Sequence, residues 1–259
     1  MIKKLICILL FSILAMMGCQ TNRITSTAVG QGWAGNSVNT VIFRKDALVS
    51  QGEYQFISFY DGQGRVVVGE RTLGSKKWNL SSTSLKGNIK DAHNMISMGI
   101  DGEGFLHMAW DHHNTPLNYV RGKSPFALEF TNRTQMVGMD EGKVTYPEFY
   151  SMPNGDLLFF YRSGESGRGN MVINRYNLAE KEWVRVQDNV LDGENERSAY
   201  WQACVDDSGT IHLSWVWRET WDVATNHDIC YAKSTNGGIT WQNSQGNEYQ
   251  LPITANSSE

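Results

Sequence analysis

Proline and cysteine are scarce in this chain, and its basic residues are nowhere gathered into a run. Of 259 residues only five are proline and four are cysteine, and the net charge is −4. Without a clustered Lys/Arg stripe there is no electrostatic footprint for nucleic acid, so no nucleic-acid partner is expected. Two of the cysteines, Cys7 and Cys19, fall within the first nineteen residues, which leaves Cys204 and Cys230 and rules out a disulfide-dense scaffold. Lys3 and Lys4 precede the apolar run Leu5 to Met16, a secretory signal that is too short to span a bilayer as a mature helix. Residues 1–19 are therefore set aside as a signal segment, and 20–259 form one domain.

What the chain does have is aromatic residues and glycine: nine Trp, ten Tyr and 25 Gly. That composition suits short twisted strands joined by tight turns. It also suits sugar binding, because flat aromatic faces pack on the apolar faces of pyranose rings.

One unit recurs along the chain at intervals of about fifty residues. Each copy reads as an alternating strand, a Gly-containing turn, a second alternating strand, a longer connection, a third strand, and a polar turn closing on tryptophan. Four copies can be overlaid, at Asn36 to Ser82, His93 to Met136, Thr145 to Gln187 and Ala199 to Asn243. A repeat of this kind marks the blades of a β-propeller. The expected fold is all-β, with four-stranded antiparallel blades, four of them present, and the ring incomplete. An open ring leaves a strand edge in water unless another chain covers it. The last residues, "NEYQLPITANSSE", stand where a link to a fifth blade would begin, so a shortened chain is expected.

The stretch "DAHNMISMGIDGEGFLHMAWDHHN", residues 91–114, holds four of the six histidines. The start of one antiparallel strand lies beside the end of the next, so His93, opening the first strand of its blade, should meet His113, closing the second. Aligning the turns on Gly104, Gly155 and Gly209 puts His93, Tyr146 and Tyr200 in one slot. The same alignment puts His113, Arg162 and Arg218 close to a second slot. His/His, Tyr/Arg and Tyr/Arg pairs from successive blades are thus expected around one mouth of the channel. His107 and His212, each three residues after a turn glycine, read as structural, and His112 as a neighbour that orients the site.

Imidazole, phenol and guanidinium without an evident carboxylate pair suit β-elimination from a uronic acid. Removal of the C5 proton requires the adjacent carboxylate to be neutralised as charge develops, and general acid–base groups then move the protons. Glycoside hydrolysis needs two carboxyl groups across the scissile bond. Asp91, Asp111, Glu148, Glu165 and Glu219 are the acids expected near this rim, so a hydrolase, or a non-catalytic carbohydrate-binding fragment, stays open.

Three resemblances sharpen these expectations. "AMMGC", residues 15–19, resembles the lipobox of bacterial lipoproteins. It implies lipidation at Cys19 and, with Gln20 following, an exported protein held at the outer membrane, with a periplasmic or cell-surface location the alternative after ordinary signal cleavage. "STNGGITW", residues 234–241, resembles the Asp-box of sialidase-type propellers, with Asn236 in the aspartate position; its role is structural. From about Asp91 onward, "HNMISMGIDGEGFLHMAWDHH", "YPEF", "FFYRSG" and "WVWRET" resemble the BNR-repeat propellers that include the ulvan lyases. That resemblance implies seven blades in the complete fold and a polysaccharide lyase acting on an acidic, rhamnose-uronate polymer. It places catalytic roles on His93, His113, Tyr146 and Arg162 and a substrate contact on Tyr200. Arg218, from the second slot, and Asn94 are taken as further candidate substrate contacts, and no cofactor is expected.

Cys204 in a first strand and Cys230 in a third are separated by two strand spacings, roughly 9 to 10 Å. That exceeds disulfide reach, so free or metal-associated thiols are expected. His227 and Cys230 could suggest metal ligands, but two residues are too few for a structural zinc site, and no metal is assigned.

Overall fold

The computed structural model describes residues 25–43 and 45–258. The expected signal segment and the lipidated Cys19 lie outside the described residues. The chain divides at Gly30; the described part of the first unit, residues 25–30, contains no strand or helix. The unit from Gln31 onward is all-β, with one short 3-10 turn at Val223–Thr225 among the described residues. No helix among them is long and apolar enough to cross a membrane.

Four antiparallel sheets follow one another along the chain. The first contains β1 (Leu48–Gln51), β2 (Tyr54–Tyr60), β3 (Arg65–Thr72) and β4 (Asn79–Lys86). The second contains β5 (Ile96–Ile100), β6 (Leu106–Trp110) and β8 (Tyr119–Arg121). The third is built from β9 (Val144–Ser151), β10 (Leu157–Glu165), β11 (Arg168–Asn177) and β12 (Glu182–Gln187), and it also takes in β7 (His113–Thr115) as a fifth, inner strand. The fourth contains β13 (Ser198–Val205), β14 (Ile211–Arg218) and β15 (Asn226–Ser234). The sheets form four blades of an unclosed propeller, with its repeat where the sequence puts it.

A left-handed glycine turns the β2–β3 hairpin of the first blade, at Gly64, and the first hairpin of each later blade, at Gly104, Gly155 and Gly209. In three of them an aspartate three residues before the glycine locks the turn. Asp61, Asp101 and Asp206 each accept two backbone N–H groups through Oδ1, which is how a short acidic side chain stabilises a tight turn. The aspartate also explains the two structural histidines. His107 lies between Tyr119 Oη (2.7 Å) and Asp101 Oδ2 (3.2 Å), and His212 between Tyr231 Oη (2.8 Å) and Asp206 Oδ2 (3.4 Å). Both imidazoles therefore tie a turn to a third strand, within their own blades.

The fourth strand is where sequence and structure differ. In the second and fourth sheets it is reduced to single bridges, Gly122 with Phe130 and Lys233 with Gln242. Pro125 and the left-handed Phe126 interrupt one run, and Gly237 and Gly238, both with positive φ, interrupt the other.

Apolar residues interdigitate between neighbouring sheets. Strands β5 and β6 are buried along their whole length because sheets pack on both faces. Strand β14 alternates instead, with Ile211, Leu213, Trp215 and Trp217 on the buried face. These four join Phe160, Ile173, Trp201 and Trp241 in the core between the third and fourth sheets.

The Asp-box resemblance corresponds to a closed hydrogen-bonded turn. Asn236 Oδ1 accepts from Ser234 Oγ and from the Thr240 N–H, Asn236 Nδ2 donates to Thr240 Oγ1, and Trp241 Nε1 donates to the Gly238 carbonyl. Cys204 and Cys230 form no disulfide with each other. Replacing Asn236→Ala breaks three bonds in a partly exposed turn and should lower unfolding free energy by about 1–2 kcal/mol, whereas Asn236→Asp should hold most of it. Urea denaturation of the two variants checks this.

Candidate active site

The two histidines do not meet as the ends of one hairpin. His93 lies three residues before β5, and β6 stops at Trp110. Asp111 and Asn114 adopt left-handed backbone conformations (φ 66° and 59°), which swing His113 out of its own sheet to pair with Thr145 of the next. Counting nine residues back from Gly104, as from Gly155 to Tyr146, lands on the buried Met95 rather than on His93.

The rings come together all the same. His93 and His113 stack with centroids 4.0 Å apart and planes 22° from parallel. Asp91 holds both: its Oδ1 is 2.8 Å from His93 Nδ1 and its Oδ2 is 2.6 Å from His113 Nδ1. Burial pushes the Asp91 carboxyl up, but the bonds from His113 and His93 outweigh it and hold the group down at about 2. An ionised carboxylate only accepts hydrogen bonds, so this network assigns a proton to each Nδ1. Neither Nε2 has a hydrogen-bond partner among the described residues, and the histidine side chains are 36% and 37% exposed.

Tyr146 is next in line, its ring 6.0 Å from His93. It sits in a bulge of β9, where Tyr146 and Pro147 together oppose Tyr161 of β10, and its φ is +56°. A bulky residue is seldom found there, least of all before proline. A bulge re-aims a side chain, and here it turns the phenol toward the imidazoles. Burial pushes the Tyr146 phenol up, and the Arg162 charge works against that shift.

Each tyrosine lies against the arginine of its own blade. The Arg162 guanidinium carbon is 5.1 Å from the Tyr146 ring, and that of Arg218 is 3.7 Å from the Tyr200 ring. Tyr146 and Tyr200 meet edge to face at 6.1 Å. Arg162 is only 2% exposed. It donates to Thr145 Oγ1 at 3.3 Å, its Nε is unpartnered, and it forms no ion pair with a described carboxylate. Arg218 faces a cavity of about 320 Å³ that is also lined by Phe43, His93, Tyr146, Tyr200, Trp201 and Val223.

Asn94 does not join this group. It is 4% exposed and its amide donates to the Asn88 carbonyl, so its place is in the turn before β5. His112 is buried against Thr115 and Asn118, and burial lowers it to about 4. Of the acids expected near the rim, Asp91 is the clamp, while Asp111 accepts the Asn88 N–H. Glu165 pairs with Lys143, and Glu219 with Arg197 and His227. Glu148, 3% exposed, accepts from Tyr150 Oη (2.6 Å) and Trp201 Nε1 (3.2 Å), with Lys45 Nζ at 3.7 Å.

Asp91, His93 and His113 bring three donor atoms within 4.8 Å, as a metal site would, but each Nδ1 already has its own carboxylate oxygen. His227 is bound by Glu219 and Asp228 rather than directed at Cys230. Sequence reasoning missed two contributors: the bridging role of Asp91, hinted at by its i, i+2 spacing to His93, and Phe43, for which no motif exists.

These sheets are blades of a β-propeller. The chain belongs to the BNR repeat-containing family, whose model matches residues 54–259. It is similar to the long isoforms of ulvan lyase from a Glaciecola species and a Pseudoalteromonas species. Both are 24% identical, over 54% and 53% of this chain and 19% of theirs. The chain thus spans about a fifth of the length of the curated relatives it matches. Among solved structures, one of a polysaccharide lyase aligns with a TM-score of 0.74 and 18% identity, covering 92% of this chain and 62% of that one. An ulvan lyase aligns at 0.65 with 16% identity, covering 93% and 61%, and has also been solved with a glucuronic acid-(1-4)-rhamnose 3-sulfate unit bound. The fold is that of these polysaccharide lyases.

Asp46, just ahead of β1, is pushed up to about 7 by burial and by Glu148, against the pull of Lys45. The folded chain then holds a proton that the unfolded chain has already lost, so this group makes stability fall as pH rises from about 4 to about 7. Asp46→Asn should flatten that slope. Urea midpoints of both proteins, taken across this range, measure it.

Proposed function

We propose that the protein cleaves a uronic-acid-containing, ulvan-like polysaccharide by β-elimination. The observation that carries this reading is the single carboxylate of Asp91 holding two stacked imidazoles by their Nδ1 atoms, which leaves both Nε2 atoms without a hydrogen-bond partner among the described residues. One Nε2 takes the C5 proton, the C–H electrons form the C4–C5 double bond, and the C4–O4 bond breaks. The departing O4 takes a proton from the Tyr146 phenol or from the second imidazole in its charged form. Arg162 beneath Tyr146 and Arg218 against Tyr200 supply positive charge where the uronate carboxylate becomes enolate-like. Tyr200 contributes a flat face for a sugar ring.

Hydrolysis is disfavoured by the same geometry. It needs two carboxyl groups across the bond, and Glu148, Glu165 and Glu219 are each committed to other partners. Export to the outer membrane on a lipid at Cys19 belongs to the same proposal, since a polymer of this size is met outside the cell.

Incubation with ulvan should yield an unsaturated uronate that absorbs in the ultraviolet. New reducing ends without that chromophore would establish hydrolysis, and retention on the polymer without cleavage would establish a binding module. His113→Ala and Arg162→Ala should each lower turnover by about 100-fold or more with unchanged circular dichroism. Wild-type turnover in either variant removes that residue from the mechanism.

A further inference from the structure

The segment just ahead of β1 runs through the middle of the four sheets and touches every one. The Ala47 carbonyl accepts from Ser58 of the first sheet, and the Asp46 carbonyl from Met98 of the second. Lys45 Nζ donates to Tyr150 Oη of the third and to the Ala203 carbonyl of the fourth, each at 3.1 Å. Lys45 also lies 3.7 Å from the buried Glu148. This strap ends at Phe43 in the wall of the active cleft.

Phe43 is there for a geometric reason. Its ring stacks on His93 at 5.5 Å and 25°, and His93 in turn stacks on His113 at 4.0 Å and 22°. It also meets Tyr146 edge-on, at 5.3 Å and 79°. The bond to Asp91 fixes His93 at one atom only, and more than a third of the side chain is open to solvent. A ring held at one atom still rotates about its side-chain torsions unless a neighbour blocks the sweep. Phe43 blocks it, and the same ring sets the spacing between His93 and Tyr146.

We infer that Phe43 is a positioning residue for the elimination, holding the His93 imidazole and the Tyr146 phenol in register, and that Lys45 acts through it by pinning the strap to the third and fourth sheets. This rests on the lyase reading. Misplacement of a reacting group by about 1 Å costs on the order of 100-fold. Phe43→Ala should therefore lower kcat by about 30- to 100-fold, with KM changed less than about threefold. Phe43→Tyr, which keeps the ring, should stay within about threefold of wild type. Lys45→Met should lower kcat in the same direction, and the double variant Phe43→Ala/Lys45→Met should be no slower than Phe43→Ala alone, because both act through one contact.

A second readout needs no turnover. Carbethoxylation of His93 by diethyl pyrocarbonate, mapped by mass spectrometry, should speed up severalfold in Phe43→Ala and not in Phe43→Tyr. Should Phe43→Ala fail to fold, Phe43→Leu, which keeps bulk and loses the aromatic face, takes its place in both assays. An unchanged labelling rate together with unchanged kcat overturns the inference, as does a double variant whose losses multiply. Accelerated labelling in Phe43→Ala, when the wild-type protein itself makes no unsaturated product, would keep Phe43 as the support of His93 and discard the lyase reading instead.

Discussion

One carboxylate organises the cleft. Asp91 has two oxygens, and each takes the Nδ1–H of a different histidine, so the tautomer of both rings is set by a single residue in the turn before β5. That arrangement requires the start of the second blade and the short strand β7 to lie side by side, and β7 is held not by its own blade but by β9 of the next. The site therefore straddles two sheets. The pairing of His113 with Thr145 that fixes one imidazole also places it one residue from the bulged Tyr146.

Charge is handled differently above and below this clamp. Below it, Glu148 and Asp46 are buried close enough for burial to push both carboxyls up, and Lys45, reaching across from the strap, offsets part of that cost. Tyr150 and Trp201 satisfy the remaining oxygen of Glu148. This group of side chains ties the third and fourth sheets to the segment ahead of β1. Above it, Arg162 is a buried cation facing the ring of Tyr146 with no described acidic partner. A buried charge without a partner is costly to the fold, and a uronate carboxylate is the chemistry that would relieve it.

The blades were legible because their signals are local. An aspartate or polar turn closing on a left-handed glycine, followed by strict alternation as in Ile211, Leu213, Trp215 and Trp217, needs only neighbours a few residues apart. The vanished fourth strands were less so, since Pro125 and the paired glycines 237 and 238 break a run whose composition otherwise fits a strand. At the site, counting from the turns puts His113, Tyr146, Arg162, Tyr200 and Arg218 near one another and they do gather, while His93 joins them although the count from Gly104 lands on Met95. Asn94, expected among them as a substrate contact, is instead buried in the turn before β5.

The sequence by itself determined the repeat, the turn chemistry and which residue types reach the same end of each sheet, because strand period and turn conformation are set by short-range sterics and hydrogen bonding. Only the tertiary structure decided how those ends interlock. The exchange of β7 between blades, the two-handed grip of Asp91 and the approach of Phe43 from outside the repeat all join residues far apart in the chain. Their contacts depend on how whole sheets stack and on backbone turns at Asp111, Asn114 and Tyr146 that residue identity alone disfavours or leaves open.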